Sequence, residues 1–271
     1  MDRYAVIGNP VSHSLSPAIH AHFARQTGEL LEYSTLLAPL DDFAGTARRF
    51  FDSGARGANV TLPFKLDAFR FAPHASARAT IAGAANFLAS KNGRIEADNT
   101  DGAGLVADLA RNLGVDLAAS RILLLGAGGA ARGVIGPLLD AKPRRLVIAN
   151  RTVDRARELA RRFAAEANVS AVALDAIPEE DFDLVLNATS TSIHGEELSV
   201  PDHACRRGAL AYDMAYGPGA AAFLARARQR GMRASDGLGM LVEQAAESFL
   251  LWRGKRPATG EILAQLRSRG S

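Results

Sequence analysis

The stretch Arg121-Ile122-Leu123-Leu124-Leu125-Gly126-Ala127-Gly128-Gly129-Ala130-Ala131 decides the fold of the second half of the chain. Its apolar run predicts a buried strand, its glycines a tight turn, and its alanines the start of a helix. In such a unit Gly128 lets a phosphate approach the backbone, and Ala131 lets the helix pack on the strand. The helix N-terminus then faces the pyrophosphate of a dinucleotide. We therefore predict dinucleotide contacts at Gly126, Ala127, Gly128, Gly129 and Ala130, the alternative being a glycine turn without a ligand.

Predicted strands and helices alternate almost throughout the chain, which is typical of an α/β protein with a parallel, doubly wound sheet. In the first part we predict strands at 4–7, 33–37, 57–60, 86–90 and 94–97, and helices at 17–26, 40–52 and 75–81. In the second part we predict a helix at 101–112, strands at 121–125, 146–150, 171–173, 184–187 and 210–213, and helices at 130–139, 153–167 and 220–230. A last amphipathic helix at 238–252 is expected to fold back onto the first part.

This order of elements predicts two domains. Residues 1–101 together with 237–271 would form an N-terminal α/β domain, and residues 102–236 a doubly wound Rossmann-type domain. Local signals mark the ends of single elements. Ser16 is expected to cap the first helix, with Pro17 at its first position and Gly28 after its end. Asn92-Gly93 predicts a tight hairpin turn.

Composition excludes several classes of protein. The 271 residues are 48% hydrophobic and 23% charged, which is typical of a soluble globular chain, and no apolar run approaches a membrane helix of about 18 residues. The single cysteine, Cys205, fits a reducing compartment, and the N-terminus runs directly into a strand, so we expect a cytoplasmic protein. A net charge of +3 with only 6% aromatic residues argues against a nucleic-acid surface. The histidine spacing indicates no metal site.

The end of the second strand of the dinucleotide unit predicts which cofactor binds. Enzymes that bind NAD usually place an acidic residue there, to hold the ribose 2′-hydroxyl. This chain instead has Asn150-Arg151-Thr152, followed by Arg155. These cations favour a 2′-phosphate, so we predict NADP(H). The alternative is that the arginines belong to the solvated face of a basic helix.

A second informative stretch, Asn59-Val60-Thr61-Leu62-Pro63-Phe64-Lys65, places a lysine at a predicted helix start. Only four of the 32 basic residues are lysine. Arginine does not release its proton in proteins, whereas lysine can do so. Lys65 is therefore a candidate proton carrier, although a solvated lysine on a first helical turn is the alternative.

At this point the residues identify a family. The chain resembles the shikimate dehydrogenases over nearly its whole length, through motifs in the expected order. These motifs lie at 4–10, 12–17, 57–65, 83–86, 98–102, 126–131, 150–152, 187–190, 212–214 and 236–244.

The resemblance implies NADPH-dependent reduction of 3-dehydroshikimate to shikimate, on the route to aromatic amino acids. It implies a catalytic pair, Lys65 and Asp101, in a site between the two domains. The substrate residues that it implies are Ser14, Ser16, Thr61, Asn86, Tyr216 and Gln244. The further cofactor residues that it implies are Thr189, Met214, Gly237 and Met240. Taken singly, each of these residues could have a structural role instead. Asp101 could cap its helix, and Gln244 could lie on a helix surface.

Two departures and two alternatives remain open. Ser192 stands where the family usually has a glycine, and Ala77 stands where some members carry an acid. The first alternative is a dual quinate/shikimate enzyme, because close relatives oxidise quinate or accept NAD, although the pair Ser14-x-Ser16 favours shikimate. A non-catalytic NADP-binding sensor on the same fold is the second alternative.

The expected partner is a small molecule, with no nucleic acid and no membrane, and the chain would act as a monomer or homodimer.

Overall fold

The computed structural model describes residues 1–163, 168–189 and 200–269. The chain divides into two compact units, Met1–Gly104 with Leu241–Arg269, and Leu105–Met240. Each unit contains a sheet and helices, which confirms the predicted two-part α/β fold.

The first unit is built on a mixed sheet. Its strands are β1 (Asp2–Gly8), β2 (Leu31–Leu37), β3 (Gly57–Val60), β4 (His74–Ala75), β5 (Phe87–Lys91) and β6 (Arg94–Asp98). Its helices are α1 (Ser16–Thr27), α2 (Phe43–Asp52), α3 (Lys65–Phe71) and α4 (Ala77–Ala82). Among the described residues the six strands have the order β2-β1-β3-β5-β6-β4, in which β5 runs antiparallel to β3 and β6.

The chain passes from one unit to the other within two helices. Helix α5 (Asp101–Ala107) begins in the first unit and continues as a π-helical segment, Asp108–Asn112, in the second. A later helix (Leu238–Arg253, α9 below) begins in the second unit and ends in the first, where Trp252 Nε1 donates to Leu88 O at 3.1 Å. The last helix (Gly260–Arg269, α10 below) also belongs to the first unit.

The second unit is a parallel doubly wound sheet. Its strands are β7 (Arg121–Leu125), β8 (Arg145–Asn150), β9 (Val169–Ala173), β10 (Leu184–Asn187), β11 (Leu210–Asp213) and β12 (Arg233–Ser235). Its helices are α6 (Gly129–Asp140), α7 (Val153–Arg161) and α8 (Ala221–Gln229). Short 3-10 turns lie at Leu174–Ala176, Asp202–Ala204 and Gly217–Ala220. The chain then continues into α9 (Leu238–Arg253) and α10 (Gly260–Arg269). The strand order, β12-β11-β10-β7-β8-β9, reverses between β10 and β7. Ligands of such sheets bind at the carboxyl ends of the strands beside this reversal.

Alternation along β7 explains why its residues form a central strand. Ile122 and Leu124 pack into the core on one face of the sheet, whereas Leu123 and Leu125 pack into the core on the other. All four side chains are fully buried. Burial of each contributes about 2 kcal/mol, and a strand covered on both faces reads as a continuous apolar run.

Several local expectations are corrected by the structure. Helix α1 begins at Ser16 itself, and no side chain caps it, so the predicted cap is wrong; Ser14 Oγ accepts from Ser16 N at 3.3 Å instead. The helix predicted at 75–81 begins at Ala77, after a Ser76 cap. Gly28, at φ 70°, follows α1 as predicted. Helix α7 ends at Arg161, and residues 164–167 of its predicted range lie outside the described residues.

Among the described residues, no helix has both the length and the apolar character needed to cross a bilayer.

Candidate active site

The lysine and aspartate singled out by the sequence lie together in the first unit. Lys65 is the first residue of α3 and Asp101 the first residue of α5. Lys65 Nζ donates to Asp101 Oδ2 at 2.7 Å, and their side chains are 16% and 6% exposed. A charge-assisted contact of this length between mostly buried groups holds the ammonium in one place.

Asn86 holds the other oxygen of the same carboxylate. Its Nδ2 atom donates to Asp101 Oδ1 at 2.8 Å and lies within hydrogen-bonding distance of Thr100 Oγ1 and Gln244 Oε1. Its Oδ1 atom accepts from Thr100 N at 2.7 Å. The side chain of Asn86 is buried, with 3% of its surface exposed. The Asp101 carboxylate is therefore held at both oxygens.

The turn before Asp101 is held separately. Asn99 Oδ1 accepts from Asp101 N at 3.1 Å, and Asn99 Nδ2 donates to Ala84 O at 3.0 Å. Asp98 Oδ1 accepts from Asn99 N at 2.7 Å and from Arg78 Nε at 2.6 Å. Because α5 starts at Asp101, the side chain of Asp101 does not cap it. The carboxylate is thus left for Lys65 and Asn86.

An outer layer supports these groups, and sequence reasoning missed it. Ser248 Oγ, fully buried on α9, lies 3.2 Å from Thr100 Oγ1 and accepts from Asn59 Nδ2 at 2.9 Å. Asn59 Oδ1 accepts from the Tyr33 hydroxyl at 2.7 Å. Asn59 and Thr100 lie inside the family motifs, and this location was the available signal that they support the site. Nothing in the local sequence indicates that Ser248 contacts this layer.

The remaining substrate candidates of the first unit have different surroundings. Gln244 is 7% exposed, so it is not the surface residue that its helical position alone would suggest. The glycine at 104 lies so close to Gln244 that a Cβ there would be 2.6 Å from Gln244 Cβ. Ser16 is 4% exposed and lies near the Tyr33 hydroxyl, which belongs to the outer layer. Thr61 follows β3, and its methyl group lies directly against Gly8.

The predicted dinucleotide turn leaves open space above its backbone. Gly126 has φ 106°, which favours glycine, and its N–H donates to Ala149 O at 2.8 Å. Gly128 precedes the 12-residue helix α6, and a Cβ on Gly128 or Gly129 would meet nothing within 4 Å. Ala131 is fully buried against the core. The arrangement fits a pyrophosphate on a helix N-terminus.

The predicted 2′-phosphate residues follow β8. Asn150 Nδ2 donates to Thr152 O at 2.8 Å, which closes the turn that carries Arg151. Arg151 and Arg155 are exposed. Among the described residues, no carboxylate forms an ion pair with the Arg151 guanidinium. Arg157 on α7, by contrast, pairs with Asp154 at 3.1 Å.

The other predicted cofactor residues lie on segments that follow the strands of the same sheet. Thr189 follows β10, and its N–H and hydroxyl donate to Asn187 Oδ1. Met214 follows β11, and Gly237 N donates to Ala215 O at 2.9 Å. Met240 is 7% exposed and packs into the core of the unit. Tyr216 of the second unit directly precedes the turn Gly217–Ala220. Ser192 lies outside the described residues.

No cluster of His, Cys, Asp or Glu side chains in the described part of the chain could hold a metal ion. His20 is fully buried in an aromatic cluster, where it stacks on Tyr33 at a centroid distance of 4.1 Å. Burial lowers the pKa of His20 to about 3, and the neighbouring Asn59 amide opposes this only in part. His20 is therefore neutral at physiological pH.

Comparison with known proteins agrees with this geometry. The family model described as the shikimate dehydrogenase substrate binding domain matches residues 6–88. Those for shikimate / quinate 5-dehydrogenase and the shikimate 5'-dehydrogenase C-terminal domain match residues 108–208 and 237–267.

Individual proteins are similar over nearly their whole length. A shikimate dehydrogenase (NADP(+)) of Aromatoleum aromaticum is 56% identical over 98% of this chain and 97% of its own. The crystal structure of an Ael1 enzyme from Pseudomonas putida has a TM-score of 0.93 and 46% identity, covering 98% of each chain. The structure of shikimate 5-dehydrogenase from Thermus thermophilus, in complex with NADP(H) and shikimate, has a TM-score of 0.86 and 32% identity, covering 99% of each chain. The resemblance predicted from the motifs is confirmed, and the chain belongs to the shikimate dehydrogenase family.

Proposed function

We propose that this chain catalyses the reversible, NADPH-dependent reduction of 3-dehydroshikimate to shikimate. The observation that carries the proposal is the Lys65–Asp101 contact of 2.7 Å, held by Asn86 in a chain of this family. Curated relatives that are more than half identical carry the name shikimate dehydrogenase (NADP(+)). The enzyme is an oxidoreductase that works as a monomer or homodimer in the cytoplasm.

Reduction of a ketone requires a hydride at carbon and a proton at oxygen. NADPH, when bound, supplies the hydride. The Lys65 ammonium donates the proton to the carbonyl oxygen and afterwards takes up a proton from solvent, while the Asp101 carboxylate orients the ammonium. Positioned acid catalysis of this kind contributes about 10²- to 10⁴-fold in rate.

The same unit supplies the groups that recognise the substrate. Ser14 and Ser16 lie at the start of α1, a 12-residue helix whose N-terminus favours an anion such as the substrate carboxylate. Thr61, Asn86 and Gln244 would hydrogen bond to the ring hydroxyls, and Tyr216 of the second unit would contribute a further contact. A polyol acid needs several polar groups of this kind.

The second unit supplies the groups that hold the cofactor. The backbone at Gly126, Ala127, Gly128, Gly129 and Ala130 would hold the pyrophosphate, and Asn150, Arg151, Thr152 and Arg155 the 2′-phosphate. Thr189, Met214, Gly237 and Met240 would contact the remainder. The open space at Gly128 and the exposure of Arg151 support this assignment.

The test is the consumption of NADPH, followed by its absorbance, when 3-dehydroshikimate is added to the purified chain. Parallel runs use NADH in place of NADPH and, in the oxidative direction, quinate in place of shikimate. Rapid turnover with NADPH, slow turnover with NADH and none with quinate is expected. Comparable quinate oxidation would make this a dual quinate/shikimate enzyme, and NADPH binding without turnover would make it a sensor.

A further inference from the structure

Two polar side chains at the carboxyl ends of neighbouring strands are fully buried in the second unit. Asn187 ends β10, Asp213 ends β11, and the two residues are direct partners in the parallel register. Both are 0% exposed, and Asn187 Nδ2 donates to Asp213 Oδ2 at 2.8 Å. Burying an amide and a carboxylate is costly unless their hydrogen bonds are satisfied. The contacts of each side chain indicate what this pair does.

Asn187 holds the segment that follows β10. Its Oδ1 atom accepts from Thr189 N at 3.0 Å and from Thr189 Oγ1 at 2.7 Å. This closed turn lies against the first glycine of the dinucleotide turn, because a Cβ on Gly126 would be 3.1 Å from both the Ala188 carbonyl carbon and Thr189 Cγ2. The orientation of the Asn187 amide thus sets where Thr189 lies beside Gly126.

Asp213 holds the segment that follows β11. Its Oδ1 atom accepts from Ala215 N at 2.9 Å, while Met214 N donates to Asn187 O at 2.9 Å. Gly237 in turn lies against the Met214 carbonyl so closely that a Cβ has no room, and its N–H donates to Ala215 O at 2.9 Å. Asp213 thereby places Met214 and, through Ala215, the backbone of Gly237.

We propose that Asn187 and Asp213 form a positioning pair for the cofactor. They hold the two segments that carry Thr189 and Met214 in one arrangement against the Gly126 turn. The inference rests on the proposed function for the identity of these cofactor residues. The donor and acceptor pattern is directional, because the amide nitrogen must face the carboxylate while the amide oxygen faces Thr189.

This directionality allows an exchange experiment. Asn187→Asp would bring two carboxylates together, and Asp213→Asn would bring two amide nitrogens together. The double variant Asn187→Asp/Asp213→Asn places the donor on the other strand and restores the contact, with the acceptors for Thr189 and Ala215 retained. Neighbouring carboxylates resist joint ionisation, so the defect of Asn187→Asp should also grow as the pH rises.

Matched controls make the same two kinds of substitution, Asn to Asp and Asp to Asn, at the amino ends of strands of the same sheet. Asn168 Nδ2 donates to Pro143 O at 2.6 Å, and Asp183, just before β10, accepts from Arg121 N at 2.9 Å. Asn168→Asp and Asp183→Asn therefore each disturb a hydrogen bond far along the strands from the pair. They are expected to change the melting temperature without changing NADPH affinity.

Three quantities are measured for each variant: the Kd for NADPH by fluorescence titration, the KM for 3-dehydroshikimate, and the melting temperature without cofactor. Each single variant should weaken NADPH binding by about tenfold or more, since a buried polar group is left mismatched. The double variant should recover most of that loss. The Kd does not depend on turnover, so the result is separable from failure of the proposed function.

Unchanged NADPH affinity in the folded single variants would overturn the inference, as would a double variant no better than the worse single variant. An equal loss of affinity in the controls would do the same. If neither the single variants nor the double variant folds, the pair determines folding rather than cofactor position, and the inference fails.

Discussion

Asn86 Nδ2 lies 2.8 Å from Asp101 Oδ1, on the oxygen opposite to the one that accepts from Lys65. The amide and the ammonium therefore hold one carboxylate from two sides, and Thr100 N fixes the amide through its Oδ1 atom at 2.7 Å. A carboxylate held in this way cannot rotate away from the lysine. Preorganisation of this kind is what lets a proton donor act without rearrangement during the reaction.

Replacement of Lys65 tests this arrangement. In Lys65→Ala the proposed proton donor is lost while the groups proposed to recognise the substrate remain, so kcat should fall by about 10²- to 10⁴-fold with little change in KM. Steady-state kinetics with NADPH and 3-dehydroshikimate give both constants. Lys91→Ala is the matched control, because Lys91 pairs with Glu96 at 2.9 Å on an exposed hairpin. An unchanged kcat in Lys65→Ala would remove Lys65 from catalysis.

Two glycines of the dinucleotide turn should respond differently to alanine. Gly128→Ala adds a methyl group where nothing lies within 4 Å, so the melting temperature should stay near that of the wild type while NADPH binds more weakly. In Gly126→Ala the residue keeps φ 106° and meets the Ala188 carbonyl, so the unliganded protein should lose about 1 kcal/mol or more of stability. Thermal melts with and without NADPH separate the two effects.

Normal NADPH affinity in Gly128→Ala would mean that no phosphate approaches that backbone. The pyrophosphate assignment would then be wrong, although the strand, turn and helix would stand.

The sequence predicts most of this fold because its strongest signals are local. The strands at 121–125, 184–187 and 210–213 have the predicted bounds, since each is a short apolar run buried on both faces and ended by polar or glycine residues. The prediction at Ser16 fails for a local reason as well. Serine is a good cap by type, but here the helix already includes it and Ser14 takes the hydrogen-bonding role.

The site is less accessible to such reasoning. Lys65 and Asp101 are 36 residues apart, and only the family resemblance joins them before the structure does. Asn59 and Ser248 are 189 residues apart, and their contact depends on α9 packing into the first unit. No periodicity or spacing carries that information. The boundaries of the two domains and the roles of individual site residues stay predictions.

Arg151 offers a test of cofactor choice. In Arg151→Ala the cation proposed for the 2′-phosphate is lost, so NADPH should bind about tenfold more weakly or worse, whereas NADH affinity should hardly change. Fluorescence titration with both cofactors measures the ratio. Arg157→Ala serves as the control, since Arg157 pairs with Asp154 on the same helix. Equal weakening of both cofactors would exclude the phosphate contact.

His20 should make the folded protein sensitive to acid. Its ring is fully buried against Tyr33, and burial lowers its pKa to about 3 from an unfolded value of 6.5. Below the unfolded pKa the unfolded chain binds a proton that the folded chain excludes, so stability falls with pH across this window. Between pH 7 and pH 5 the protonation of this group in the unfolded chain should lower the free energy of unfolding by about 2 kcal/mol.

His20→Phe keeps an aromatic ring and removes the proton site, so its free energy of unfolding should fall less over the same interval. Urea denaturation at several pH values measures the slope, with the exposed His74→Phe as the control. Parallel curves for wild type and His20→Phe would show that His20 accepts its proton in the folded state as readily as in the unfolded one.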